Sequence, residues 1–320
     1  MNRHHQVKKS FFRVFFSLYL IVQFVSSFGH DGHEIVADVA NSRTLLETNG
    51  AIKYILNGQK LSEIANWADD VVKDRSWSAG LHFINIMQDP CDASSGCDFV
   101  YERDCPDNAC VAGAVLNYTA QLRTLVMQNS LVALNSTVAD EALRFVVHFV
   151  GDLHQPLHVA RDSDRGGVVT NVQFYVPGQG DEWNLHNVWD FGMIVRSINE
   201  TFSGQQELFT AEILRLLRTE YKDAVDGWLQ CPGSGRRLVE LAGEENELRT
   251  CVADWAQEST DAAVAEAYLD ENGQEIRDGD SLSDAYYTAR LPTVQRRVAM
   301  SGVRLAALLD FLFTSMDADI

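Results

Sequence analysis

The stretch His148-Phe-Val-Gly-Asp152-Leu-His154-Gln-Pro-Leu-His158 sets three imidazoles and a carboxylate close together in the chain. His148 and Asp152 stand four apart, so on a helix they share a face and reach one ion. Pro156 cannot continue that helix, which frees His158 to turn toward a second ion. Asn184-Leu-His186-Asn-Val-Trp-Asp190 repeats the His/Asp pair at the same spacing. Trp67-Ala-Asp69, His82 and Gly32-His33 add donors upstream. One such pair alone reads more readily as a helix cap or an ion pair than as a metal site. Two together, with the imidazole and carboxylate mix that zinc takes, read as a metal site. His154 lies six residues from His148 and two from Asp152, so it points elsewhere and is left out of the ligand set.

These donors need rigid supports, and apolar periodicity supplies helices. The pattern predicts them over His33 to Leu46, Leu61 to Val72, Val111 to Leu131, Val138 to Val150, Gln206 to Tyr221, Glu244 to Tyr268 and Asp284 to Phe313, the last interrupted near Pro292. Residues 84–110 hold four cysteines and read as a disulfide-tied loop. Gly166 to Pro177 alternates through Val169, Val172, Phe174 and Val176, which predicts one short β-hairpin. No repeat, low-complexity tract or linker divides the chain. The expectation is one mostly α-helical domain over residues 28–320.

The formal charge of the chain is −19. That excludes a basic face of the kind that coats duplex phosphates, so any positive charge for a phosphate has to come from bound metal. Arg3, Lys8, Lys9 and Arg13 precede and enter an apolar run from Val14 to Val25, and Val25-Ser26-Ser27 offers a cleavage site before Phe28. Residues 1–27 thus read as a signal peptide, the run being short for a spanning helix. Removing four basic residues and no acidic one takes the charge from −19 to −23. Six cysteines and three sequons, at Asn117, Asn135 and Asn199, agree with a secreted protein or one of the secretory or vacuolar lumen. No second apolar segment of membrane length follows.

The words GDLHQPLH (151–158), NLHNVWD (184–190), WAD (67–69), HFIN (82–85), WAQES (255–259) and FGHDGH (28–33) resemble those of the zinc-dependent single-strand nucleases of the S1/P1 type, with the related 3′-nucleotidases. The resemblance runs in order from residue 28 to about 313. It implies the all-α fold shared with bacterial zinc phospholipase C and a cluster of three zinc ions. Asp69, His82, His148 and Asp152 would hold one ion. His158, His186 and Asp190 would hold the second. His33, Asp152 as a bridge, and the terminal nitrogen and carbonyl of Phe28 would hold the third. Asp69 would orient the attacking water. The substrates implied are single-stranded DNA and RNA, cut to 5′-nucleotides, and 3′-nucleotides. The family's cysteine pattern implies Cys97–Cys251 and Cys105–Cys110, leaving Cys91–Cys231. No protein partner is implied, and the chain is expected to be a monomer.

The chain departs from the family at four places. Phe28 replaces a tryptophan, but through backbone ligands. Val168 follows Gly166-Gly167 where the family has a base-contacting asparagine, and Asn85 stands where an aspartate often reads the base. Val72 occupies the usual place of a cation, and Lys73 follows it, either as a substitute or as an ordinary exposed lysine. Phe83 reads either as a base-stacking ring or as core. The competing functions are a zinc phospholipase C and a non-catalytic secreted binding protein on the same scaffold.

Overall fold

The computed structural model describes residues 28–128, 130–231, 236–238 and 245–314. The signal segment expected over residues 1–27 lies outside them. Each long helix carries an apolar face, and burying those faces against one another sets the architecture. The chain opens with α1 (Gly29–Asn41) and α2 (Leu46–Ile55). The predicted helix from His33 to Leu46 therefore starts earlier and stops sooner. Ser42 Oγ donates back to the Val39 carbonyl, 2.7 Å, and the Leu45 N–H donates to Asp310, 2.9 Å, where α2 begins. The predicted helix from Leu61 to Val72 is two, α3 (Leu61–Ile64) and α4 (Trp67–Val71). At the break Asn66 donates to the His30 carbonyl and to Glu34, both at 3.3 Å, which ties this turn to α1.

A tight turn over Ser76–Leu81 leads into β1 (Ile84–Ile86), and the cysteine loop that follows holds α5 (Tyr101–Asp104). Beyond it come α6 (Val111–Met127), α7 (Leu131–Leu134) and α8 (Thr137–His154). Ser136 caps α8 by accepting the Ala139 N–H at 3.2 Å. Tyr118 of α6 stacks on Phe145 of α8 at 4.4 Å, and Phe145 on Phe149 at 5.2 Å, so aromatic rings seam the two helices. Gln155 is extended, as a residue before proline must be, and α8 stops there.

After the His158 turn, β2 (Val159–Arg161) pairs parallel with β1, Ile84 opposite Val159. A hairpin forms between β3 (Asn171–Phe174) and β4 (Glu182–Asn184), so only its first strand falls within the predicted span from Gly166 to Pro177. Val172 and Phe174 point inward, whereas Val169 precedes the strand and is half exposed. The next elements are α9 (Leu185–Asn187), α10 (Met193–Thr201), α11 (Gln206–Arg218), α12 (Val225–Trp228), a two-residue pair of β5 (Gln230–Cys231) and β6 (Arg236–Arg237), and α13 (Glu245–Ala262). Then β7 (Asp280–Leu282) joins β3 in parallel, a third strand that alternation did not reveal. The chain closes with α14 (Asp284–Phe313), which runs unbroken through Pro292. That proline removes one N–H near the helix start, and the long buried stretch beyond it packs on α1 and α8. A single cluster of buried apolar side chains extends from Phe28 to Phe313. Among the described residues no helix is long and apolar enough to cross a membrane.

Two of the three expected disulfides are corrected. Cys105–Cys110 is present, but Cys91 pairs with Cys97 and Cys231 with Cys251, in place of Cys97–Cys251 and Cys91–Cys231. The Cα atoms of the new pairs are 4.6 and 4.8 Å apart, within bridging reach. The cysteine loop is still tied to α13, but by a side-chain amide. Gln257 accepts the Phe99 N–H at 2.7 Å and donates to the Cys97 carbonyl at 2.9 Å.

Candidate metal centre

Six separate pieces of chain deliver the candidate ligands to one buried place. α1 brings His33, α4 brings Asp69, and the turn before β1 brings His82. α8 brings His148 and Asp152, the turn after it His158, and α9 with the following helical turn His186 and Asp190. The donor atoms fall into three groups: His33, His148 and Asp152; Asp69, His82 and His148; His158, His186 and Asp190. Within each group all donor atoms lie within 4.8 Å of one another. Asp152 Oδ1 is 3.3 Å from His33 Nε2 and 3.4 Å from His148 Nε2, and its Oδ2 is 3.0 Å from His82 Nδ1. Asp69 Oδ1 lies 3.4 Å from both His82 Nδ1 and His148 Nε2. In the third group Asp190 faces His158 Nε2 at 3.4 Å and His186 Nε2 at 3.1 Å. His148 thus stands between the first two groups, its ring stacked on His33 at 3.8 Å.

The hydrogen bonds behind the imidazoles decide what faces forward. His148 Nδ1 meets the Ala65 carbonyl at 2.7 Å, His158 Nδ1 the His82 carbonyl at 2.7 Å, and His186 Nδ1 the Gly166 carbonyl at 2.8 Å. A carbonyl only accepts, so each Nδ1 carries a proton, and each ring in its neutral form turns an Nε2 lone pair inward. His158 Nε2 and His186 Nε2 then confront each other at 3.1 Å, with a carboxylate beside them. Two lone pairs and an anion at that distance repel unless a cation or a proton lies between. Several of these atoms have no hydrogen-bond partner among the described residues, namely both Asp152 oxygens, Asp69 Oδ2, Asp190 Oδ2 and both His33 nitrogens. Buried polar atoms left so cost stability. The donor set, all imidazole and carboxylate, fits zinc.

The electrostatics agree. Burial alone would raise Asp152, Asp69 and Asp190, but the neighbouring histidines outweigh it. Asp152 is held well below the carboxylate range, Asp69 is pulled to about 2, and Asp190 is lowered. Burial lowers His33 to about 4, with His148 adding to the effect. His148 goes the other way, to about 9, because Asp152 and Asp69 overcome its burial. His158 is raised in the same manner by Asp190.

A second layer fixes the end of α8. Arg297 Nε donates to the His154 carbonyl at 2.9 Å, Ser301 to Val150 at 3.1 Å, Ser259 to Leu153 at 2.5 Å and Thr260 to Val159 at 3.0 Å. Ser259 belongs to the WAQES word, whose Glu258 pairs with Arg304 at 2.6 Å. His154 faces this layer, with Arg304 3.1 Å from its Nε2, and burial with the adjacent arginines keeps it neutral. Gly166 threads between Leu157 and His186; a Cβ there would sit 2.2 Å from the Leu157 carbonyl oxygen, and its φ is +63°. Gln155, fully buried, donates to Asp190 and accepts the Leu157 N–H, so it joins the α8 turn to a candidate ligand. Gln155→Leu is expected to weaken zinc binding or turnover about 10- to 100-fold. A competition titration against a chromogenic chelator reads the first and steady-state rates the second.

Phe83, Asn85 and Val168 line one small cavity with Leu157, Arg165 and His186. Phe28 is buried at the start of α1 in a left-handed conformation, its carbonyl accepting the Gly32 N–H at 3.0 Å. Lys73 is exposed after α4, and no hydrogen bond or ion pair among the described residues ties it to the cluster. Asn117, Asn135 and Asn199 are all exposed. Sequence reasoning missed Gln155, although it stands inside the HQPLH word, and Arg165, which only its place before Gly166-Gly167 marks.

The family model described as S1/P1 Nuclease matches residues 28–314. The chain is 33% identical to Endonuclease 2 of Arabidopsis thaliana over 297 residues, 90% of this chain and 91% of the relative. It is 34% identical to Endonuclease 3 of Arabidopsis thaliana, covering 93% and 94%. Nuclease S1 of Aspergillus oryzae is 31% identical, covering 91% and 94%.

Proposed function

From the membership of this chain in the S1/P1 nuclease family, which the match over residues 28–314 shows, we propose that it hydrolyses single-stranded DNA and RNA to 5′-nucleotides and removes the phosphate of 3′-nucleotides. It is a hydrolase of phosphodiester bonds. In this reading the three groups of donors each take one zinc ion, His33 and Asp152 sharing theirs with the amino group and carbonyl of Phe28 once residues 1–27 are removed. The observation that carries it is the pair of His158 and His186 lone pairs facing each other beside Asp190. Bound there, zinc would supply Lewis acidity and an activated water at mild pH.

The protein's own part is positioning. Asp69 keeps a tenth of its side chain exposed while the neighbouring ligands are sealed, so it is the carboxylate that an entering water meets. Held at about 2, it stays ionised and accepts that water's hydrogen bond, which orients the water without taking its proton. Phe83, Asn85 and Val168 would receive a base beside His186, in a recess that a stacked duplex base does not reach. Lys73 has no role in this reading. Processing before Phe28, glycosylation at Asn117, Asn135 and Asn199, and delivery to the secretory route belong to the same proposal.

The test is one zinc-loaded, secreted sample offered single-stranded DNA, RNA, a 3′-nucleotide and phosphatidylcholine, with and without chelator. The expected result is zinc-dependent turnover of the nucleotide substrates and none of the lipid. Hydrolysis that persists after complete metal removal, or turnover of the lipid alone, overturns it.

A further inference from the structure

We propose that Arg165 holds the phosphate that neighbours the scissile one along a single strand, and so turns this site toward polynucleotides and away from mononucleotides. The assignment rests on the nuclease reading above. Arg165 lines the same cavity as Phe83, Asn85, Val168 and the candidate ligand His186. Its backbone is fixed by the loop that orients that ligand. The Gly166 N–H donates to the Arg161 carbonyl at 3.1 Å, the Gly166 carbonyl accepts from His186 Nδ1 at 2.8 Å, and the Gly167 N–H donates to Asp164 at 3.0 Å. Arg165 itself sits at φ +55°, a left-handed conformation in which glycine or asparagine is at home and a long side chain is uncommon. Strain of this kind is retained where the surroundings over-determine it, often at binding sites.

The side chain is exposed and has no ion pair among the described residues. Its neighbour Arg161, by contrast, is committed to Asp164 at 3.1 Å and Glu275 at 2.5 Å. An uncommitted guanidinium in a recess beside a candidate metal ligand matters in a chain of formal charge −19, where other approaches repel a polyanion. Its planar fork matches two phosphate oxygens at once. A 3′-nucleotide carries one phosphate, which the metal centre takes, leaving none for Arg165. A strand carries the next one, so only the strand gains from the contact.

The experiment compares the full zinc-loaded enzyme with Arg165→Gly and Arg165→Lys, on a single-stranded oligodeoxynucleotide and on 3′-AMP, at several salt concentrations. Glycine suits the φ at this position, so this variant keeps the loop, which its melting temperature checks. For Arg165→Gly the oligonucleotide KM is expected to rise about tenfold with kcat little changed. The ratio of kcat/KM for oligonucleotide to that for 3′-AMP falls accordingly, and the salt slope drops by about 0.7. Arg165→Lys recovers most of the ratio. Equal losses on both substrates would mean a base contact and overturn the assignment, as would an unchanged salt slope or a lysine variant no better than glycine. Wild-type enzyme that turns over neither substrate overturns the nuclease reading, and this assignment with it.

Discussion

Asp152→Asn is expected to lower hydrolysis of single-stranded DNA by about 10³-fold or more, to remove at least one equivalent of bound zinc, and to leave the helical far-ultraviolet spectrum intact. No other carboxylate in the cluster faces so many imidazoles. Its Oδ1 stands 3.3 Å from His33 and 3.4 Å from His148, and its Oδ2 3.0 Å from His82. It is sealed from solvent, so its charge is answered only by the imidazoles around it or by a cation bound among them. Asparagine keeps the volume and removes the charge. One of its two atoms also becomes a donor with no lone pair for a metal. The backbone around position 152 is held by α8 packing and by the side chains of Ser259, Arg297 and Ser301, whose hydrogen bonds go to the carbonyls of Leu153, His154 and Val150. Loss of metal without loss of helix is therefore the outcome that separates a ligand from a structural residue. Asp70→Asn is the control, since Asp70 is exposed next to Asp69. Metal content by plasma emission, activity and circular dichroism on the same samples read all three terms. Full metal content and activity in Asp152→Asn would remove Asp152 from the centre.

The centre was legible in the sequence wherever local spacing determines geometry. His148 and Asp152 lie four apart on a real helix, and so, where α9 runs into a wider π-type turn, do His186 and Asp190. The turn after α8 could be placed because proline forbids continuation. That His33 stacks on His148 across the core could not be read from spacing, because it depends on how α1 meets α8. The pairing of β1 with β2, which sets Asn85 opposite Ala160 beside His158, joins segments far apart in the chain. The cysteines failed for a related reason. A connectivity carried over by resemblance assumes the same loop path, and here Gln257 takes over the link to α13, so Cys97 is free to close its own short loop with Cys91. Pro292 was over-read as a break, because tertiary burial of the residues beyond it outweighs one missing hydrogen bond. Arg165 carried no signal beyond its place before Gly166-Gly167; its meaning lies in a left-handed φ and a cavity, both invisible until the chain is folded.

Stripping the metal is expected to abolish activity and to lower the melting temperature by at least about 10 °C at pH 8.5, with a much smaller drop near pH 6. Each site saturated at a thousand times its Kd adds roughly 4 kcal/mol to the folded state. For a chain of this size a kilocalorie corresponds to about 2–4 °C, so even one lost ion is visible. The pH dependence follows from His148. In the metal-free protein Asp152 and Asp69 raise it from the usual 6.5 to about 9 despite its burial. A group raised on folding contributes stability that is complete below 6.5 and lost as pH climbs through about 9. Metal-free protein therefore weakens over that window. Zinc takes the unprotonated ring, so it must displace this proton, and below pH 9 its apparent affinity falls about tenfold per pH unit from His148 alone. Both effects have the same sign: rising pH loosens the empty site and tightens the filled one. Asp69, pulled to about 2, stays charged across the window and does not oppose them. Scanning calorimetry with and without chelator from pH 6 to 9 measures the gap, and zinc titration with a proton-release indicator measures the displaced proton. A gap that stays constant, or widens toward acid, would show that His148 does not hold a proton between Asp69 and Asp152 when the metal is gone.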